Sequence, residues 1–213
     1  MQNNNIFKQT IIKSLKDNEQ LIYSKKINIS INDINNFPLC EISDIRSIID
    51  IDNNLVGIIC FFDNRMNFYQ NLLKNDKSTL SIFFPLSREK FILYCKTEII
   101  KEEEKILNYW KTLNEEEKLL YETVDKDSIK PQLNIVDDLQ KYTAQEKNFY
   151  SQNFSVVNFV PIIVEYTIFP MPQVIANLRR QKFESLLKPH KMPQKFLIKY
   201  IEDIKNWESQ QLN

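Results

Sequence analysis

The sequence predicts an α+β protein built around a small, closed or partly closed β-barrel. Three observations carry this. Strand-like runs follow one another at short spacing, separated by stretches rich in turn residues. One amphipathic helix crosses inside that series, and further helices are appended to it. No repeat, low-complexity stretch or linker divides the 213 residues, a length that suits a single domain.

The elements are expected in the following order. Residues 5–18 place Ile6, Phe7, Ile11, Ile12 and Leu15 at helical spacing. Three strand-like runs follow, IYSKKINISI, LCEISDIRSIID and LVGIICFF, separated by NDINNFP and IDNN. Asp63 reads as the N-cap of a helix over NRMNFYQNLLKN, in which Phe68, Tyr69, Leu72 and Leu73 share a face. TLSIFF and KFILYCKTEII flank the turn PLSRE and form a hairpin. KEEEKILNYWKTLNEEEKLLYETV predicts two short helices broken near Leu113 and Asn114, with Leu107, Trp110 and Leu119 inward. DKDSIKPQLN is a loop, residues 136–150 read as helical, and VVNFVPIIVEYTIF reads as a strand followed by more β material.

Composition removes several function classes. Lysine plus arginine number 28, as do aspartate plus glutamate, so no global field draws the chain to nucleic acid or to an anionic membrane. The longest apolar runs fall far short of the roughly 20 residues of a membrane span. The start MQNNNIFKQTIIKSL lacks the features of a secretory signal, and the expected location is cytoplasmic. Cys40, Cys60 and Cys95 are widely spaced and are expected to be buried thiols in a reducing compartment. The single histidine, His190, has no second ligand near it, so no metal site and no Ser-His-Asp triad is expected. Gly57 is the only glycine, which excludes a P-loop and a dinucleotide fingerprint. Asparagine and aspartate are expected to take the turn positions that glycine usually fills.

Three stretches carry a family resemblance. In DNRMNFYQNLLKNDKSTLSIFFPLSREKFILYCK, nine residues fall without a gap on one branch of a known family: Asp63, Arg65, Leu72, Asn75, Phe84, Pro85, Arg88, Glu89 and Phe91. Its pattern reads Thr-Asp-x-Arg-Ser-x-Lys, a helix, Asn-Pro, a strand ending Phe-Pro, then Thr-Arg-Glu-Gln-Phe-Arg. CEISDIRSIID and SVVNFVPIIVEYTIF resemble an earlier and a later strand of the same family. Together these stretches resemble the pyridoxamine 5'-phosphate oxidase-like flavoproteins over most of residues 20–213.

The resemblance implies a split β-barrel with peripheral helices, dimerising around two FMN sites, in a single domain spanning residues 1–213. Its parts would be an N-terminal helix (1–19), a barrel core with crossing helix and helical pair (20–122), a loop and helix (123–150), and C-terminal strands with the dimerisation segment (151–213). It implies FMN as cofactor and assigns the flavin site to Arg46, Arg65, Lys90, Phe62 and Asp63; no catalytic residue is assigned. The parent reaction oxidises pyridoxine or pyridoxamine phosphate, with chemistry carried by the cofactor.

Several residues depart from the pattern. Glu41 stands where an arginine is expected, Met66 where serine is, Phe68 where lysine is, Lys90 where glutamine is, and Ile92 where arginine is. PQVIANLRRQKFESL offers Arg179 and Arg180 but no histidine for a substrate phosphate, which argues against vitamin B6 oxidase activity. The tail WESQQLN keeps Trp207 and Leu212 of the family's ending, with Gln211 at the arginine position. Three functions therefore stay open. One is a flavoprotein oxidoreductase using Arg46 and Arg65 on an unidentified small molecule. Another is a non-catalytic dimer on the same fold that has lost the flavin site. The third is a partner protein using the charged helical pair as a contact face. The first two separate at the Glu41, Arg46, Arg65 and Lys90 group: convergence with Glu41 turned away favours FMN, and neutralisation of Arg46 by Glu41 opposes it.

Overall fold

The structure is a computed structural model that describes residues 6–18, 25–51, 56–122, 150–170, 193–201 and 206–212. Helix α1 (Ile6–Asp17) precedes strands β1 (Lys26–Asn32), β2 (Pro38–Asp44), β3 (Ser47–Asp50) and β4 (Val56–Asp63). Helix α2 (Asn67–Leu72) leads into the hairpin of β5 (Lys77–Phe84) and β6 (Glu89–Ile99). Helices α3 (Glu103–Trp110) and α4 (Glu115–Glu122) follow, then β7 (Phe154–Ile168), β8 (Gln194–Ile201) and β9 (Asn206–Leu212). No described helix is long and apolar enough to cross a membrane.

All nine strands among the described residues belong to one antiparallel sheet, ordered β2-β1-β5-β6-β7-β4-β3, with β8 added to β7 and β9 to β8. The fold is thus α+β. The sheet is open as a ladder. Its two outermost strands on that path, β2 and β3, are nevertheless consecutive in the chain, and β2 also contacts β4. CEISDIRSIID is therefore not one strand, as expected, but two, broken at Ile45 and Arg46. Ile45 donates its N–H to Lys25 at 2.8 Å, and Arg46 donates to Ile59 at 2.8 Å. The break lets the chain leave the edge beside β1 and join the edge beside β4 with its backbone groups satisfied.

Strand β4 explains its own unbroken apolar run, because every residue in it is buried. Ile58, Cys60 and Phe62 enter the main core with Ile29, Leu80, Phe91 and Phe159. Ile59 and Phe61 face the other way, into a second cluster with Ile106, Trp110, Leu113, Tyr121 and Phe154. Helices α3 and α4 thus cover the outer side of β4, and the helical pair breaks where the sequence predicts. Trp110 is inward as expected, whereas Leu107 and Leu119 are only partly buried.

Local chemistry sets the turns. Asn36 adopts a positive φ of 64°, the asparagine-for-glycine substitution expected of this composition. Asp33 supports that turn by accepting the N–H groups of Asn35 and Phe37, each at 2.8 Å. Arg88, in the β5–β6 turn, also has a positive φ, 59°, which the sequence did not signal. Pro161 lacks an N–H and sits where the β6–β7 register shifts between Tyr94 and Cys95. Gly57 is required by close approach: a Cβ there would lie 2.1 Å from Asn158 Oδ1.

Other expectations need correction. Asp63 does not cap α2; the cap position is Met66, which makes no side-chain cap bond. The carboxylate is committed instead to the turn before the helix, where it accepts the Arg65 N–H at 2.9 Å. Leu73 lies beyond the last turn of α2 and is exposed, unlike Phe68, Tyr69 and Leu72. Cys40 is exposed, because it falls on the outer face of the edge strand β2, while Cys60 and Cys95 are buried. The helix expected at 136–150, all but its last residue, and Arg179, Arg180 and His190 lie outside the described residues. Trp207 is on β9, paired in register with Tyr200.

Candidate functional site

A cavity of about 230 Å³ opens where β2, the end of β4 and the end of α4 meet. Phe61, Phe62 and Met66 give it an apolar floor, and Leu120 and Tyr121 of α4 wall one side. Glu41, Ser43 and Asp63 supply the polar lining. The β1–β2 register explains why Glu41 is there. It pairs directly with Ile29, a fully buried residue, and directly opposed residues share a face. Glu41 therefore points inward and has no ion-pair partner among the described residues.

The two predicted arginines stand at the rim, each touching a lining residue. Arg46, in the break between β2 and β3, lies over the Phe61 ring with its guanidinium carbon 5.2 Å from the centroid. Its Nη1 donates to Glu117 Oε1 at 2.6 Å. Glu41 does not neutralise Arg46; Glu117 does. With side chains 30% and 27% exposed, that pair is worth about 0–1 kcal/mol.

Arg65 precedes α2, whose N-cap is Met66, and so lies outside its first turn. Its guanidinium grips Asp63 at both carboxylate oxygens, Nε to Oδ1 at 3.0 Å and Nη2 to Oδ2 at 2.7 Å. The Asp63 side chain is 7% exposed, so this bidentate pair is the stronger of the two. Arg65 Nη2 also approaches the Leu120 carbonyl at 3.4 Å, near the C-terminal end of α4.

Lys90 is elsewhere. It pairs with Phe83 and Thr167, whereas Asp63 pairs with Phe154 at the other end of β7. That 15-residue strand has a contour of roughly 50 Å. Within one chain, then, the structure brings together Glu41, Phe62, Asp63, Arg46 and Arg65, and leaves Lys90 apart. Phe68, at the expected lysine position, is buried and stacks on Phe62 with ring centroids 5.9 Å apart.

Two contributors were missed in the sequence. Glu117 accepts the Asn114 N–H through Oε2 at 3.1 Å, and Asn114 Oδ1 accepts the Glu117 N–H at 2.8 Å. This is a capping box, and the Asn-x-x-Glu spacing that announces it was legible. Its engagement with Arg46 was not, because it joins residues far apart in the chain. Arg46 and the Asn114 N–H hold the Glu117 carboxyl below its ordinary value despite the opposing effect of burial, the largest single influence. Tyr121 is the other. Burial raises its hydroxyl to about 12; Arg46 opposes this, while Glu117, Asp63 and Asp44 reinforce it. It is a protonated phenol at neutral pH, packed edge-on to Trp110 and Phe154.

A second cavity, of about 310 Å³, opens beside β1, β5 and β6 and is lined by Ser30, Asn32, Asn75, Lys77 and Tyr94 among others. It contains none of the predicted site residues. Among the described residues, no three histidine, cysteine, aspartate or glutamate side chains are placed to hold a metal ion.

No protein-family model matches the sequence, and no curated protein matches it. Solved structures do match the fold. A pyridoxamine 5'-phosphate oxidase-related, FMN-binding protein of Nostoc punctiforme superposes with a TM-score of 0.74 at 15% identity, covering 98% of this chain and 97% of its own. PhzG of Burkholderia lata, in complex with tetrahydrophenazine-1-carboxylic acid, gives a TM-score of 0.67 at 11% identity, covering 98% and 91%. At these identities the likeness shows a shared α+β fold built on an antiparallel sheet.

Proposed function

We propose that this chain is one subunit of a cytoplasmic homodimer, a single-domain split barrel that binds FMN and serves as an oxidoreductase for a small molecule. The observation that carries the reading is the cavity between β2, β4 and α4. It gathers Phe62 and Asp63 on its lining and Arg46 and Arg65 on its rim, in a chain whose fold matches an FMN-binding protein over nearly its full length.

The residues fit FMN at two points and oppose it at one. The apolar floor suits part of a heteroaromatic ring, and two guanidinium groups adjoin it. Glu41 on the lining is repulsive to phosphate. The fit prevails because the Arg46 pair is partly solvated and weak, so a phosphate with up to two charges can take the guanidinium. A volume of about 230 Å³ is below the roughly 300–1,000 Å³ of pockets that engulf a ligand of this size, so one chain encloses only part of a flavin. A second subunit would complete the site. When bound, the flavin supplies the electron-transfer chemistry, and this chain contributes binding, orientation and exclusion of water.

Glu41 and Glu117 favour a second reading, the same barrel as a dimer without flavin. The visible absorption spectrum of the purified protein, followed by FMN titration and a mass measurement in solution, separates the two. A flavin spectrum or saturable binding by a dimer supports the oxidoreductase. A colourless dimer that ignores FMN supports the non-catalytic reading, and a monomer removes both.

A further inference from the structure

The two rim arginines do more than adjoin the cavity. Arg46 engages Glu117 in the first turn of α4, and Arg65 reaches toward the Leu120 carbonyl near its end. They hold opposite ends of the helix whose Leu120 and Tyr121 form the cavity wall. We propose that Glu117 is an internal competitor for the ligand's phosphate at Arg46, so that it sets the protein's affinity for phosphorylated ligands and couples their binding to release of the first turn of α4.

The geometry makes Glu117 suited to this. One carboxylate oxygen is committed to the helix cap and the other to Arg46. The guanidinium it holds lies on Phe61, a lining residue, so the anion bound by Arg46 is also an anion at the edge of the cavity. The carboxylate is ionised at neutral pH and partly solvated, which makes it exchangeable rather than locked. Against the single hydrogen bond to Glu117, a phosphate offers Arg46 bidentate hydrogen bonding and more charge. Exchange would free α4 from its tie to the β2–β3 break. Glu117 was absent from the residues assigned by resemblance, and this role rests on the FMN reading for the identity of the ligand but not for the competition itself.

The test is Glu117→Gln, which keeps an acceptor for the capping box and removes the charge, so the variant is expected to fold. Three probes are used on the full chain: FMN, riboflavin, which lacks the phosphate, and inorganic phosphate followed by thermal shift. FMN affinity should rise roughly fivefold, the effect of removing a weak competing ion pair, with riboflavin unchanged. Inorganic phosphate should raise the Tm of the variant more than that of the wild type, and Arg46→Gln in the variant should abolish both gains. Equal changes for FMN and riboflavin, or equal stabilisation of variant and wild type by phosphate, would overturn the proposal. If neither protein binds FMN while phosphate stabilises the variant selectively, the FMN reading fails and the competition stands. If the wild type binds FMN and Glu117→Gln changes nothing, the reverse holds.

Discussion

Replacing Gly57 with alanine should destabilise the fold through one identifiable clash. Its backbone is not in the left-handed region, so alanine should otherwise help by about 0.4–1 kcal/mol through the unfolded state. The added Cβ, however, would lie 2.1 Å from Asn158 Oδ1, 2.9 Å from Asn158 Cγ and 3.0 Å from Ile49 Cγ1. Asn158 is 6% exposed, and its Nδ2 donates to Glu98 at 3.1 Å. Moving the amide breaks that bond, worth about 1 kcal/mol, and strains a packed ladder by about 1–3 kcal/mol. The net cost is about 1–3.5 kcal/mol. Urea unfolding at fixed protein concentration, followed by tryptophan fluorescence, measures it as a shift in midpoint at constant slope. Asn158→Ala should itself cost about 1 kcal/mol and should cancel most of the glycine effect in the double variant, giving a coupling of about 1.5–2.5 kcal/mol. An equal cost of Gly57→Ala in both backgrounds would refute the clash and place the cause in the sheet backbone.

Glu89 links α1 to the β5–β6 hairpin by accepting from Ser14 at 2.6 Å and from Tyr166. Burial raises its carboxyl, but hydrogen bonds from Ser14, Ser87 and Tyr166 outweigh it and hold the group below its ordinary value of 4.5. The stabilisation is therefore complete above that value and lost as pH falls through the lower folded value; Ser14→Ala should shift acid unfolding to higher pH, and an unchanged acid limb would count against it. Of the three cysteines, Cys40 should react with a thiol reagent in the native state. Cys60, raised to about 12 by burial, and Cys95 should react only on unfolding, and fast labelling of two or three would contradict their burial. Glu41→Gln should tighten FMN severalfold without affecting riboflavin, as read by titration, because it removes an inward carboxylate from the cavity lining.

Periodicity and turn chemistry alone determined much of this protein. The unbroken run of β4, the hairpin of β5 and β6, the two helices broken near Leu113, and the asparagine at positive φ follow from local rules. The joint order of motifs extended these to a fold. The local rules failed where one residue's surroundings come from elsewhere in the chain. Asp63 is the local exception: it has the chemistry of a cap, but the Arg65 guanidinium two residues on claims its carboxylate. CEISDIRSIID alternates like one strand, yet its two halves serve opposite edges of the sheet. Cys40 resembles its buried counterparts in sequence and is exposed because β2 is an edge.

The candidate site divides in the same way. The resemblance read from the sequence named Arg46, Arg65, Lys90, Phe62 and Asp63 and flagged Glu41 as out of place. Only the tertiary structure decided that Glu41 faces the cavity, that Lys90 stands at the far end of β7, and that Glu117 rather than Glu41 neutralises Arg46. The physical reason is range. Helix and strand periods act over a few residues, whereas an ion pair depends on which distant segments the sheet order brings together.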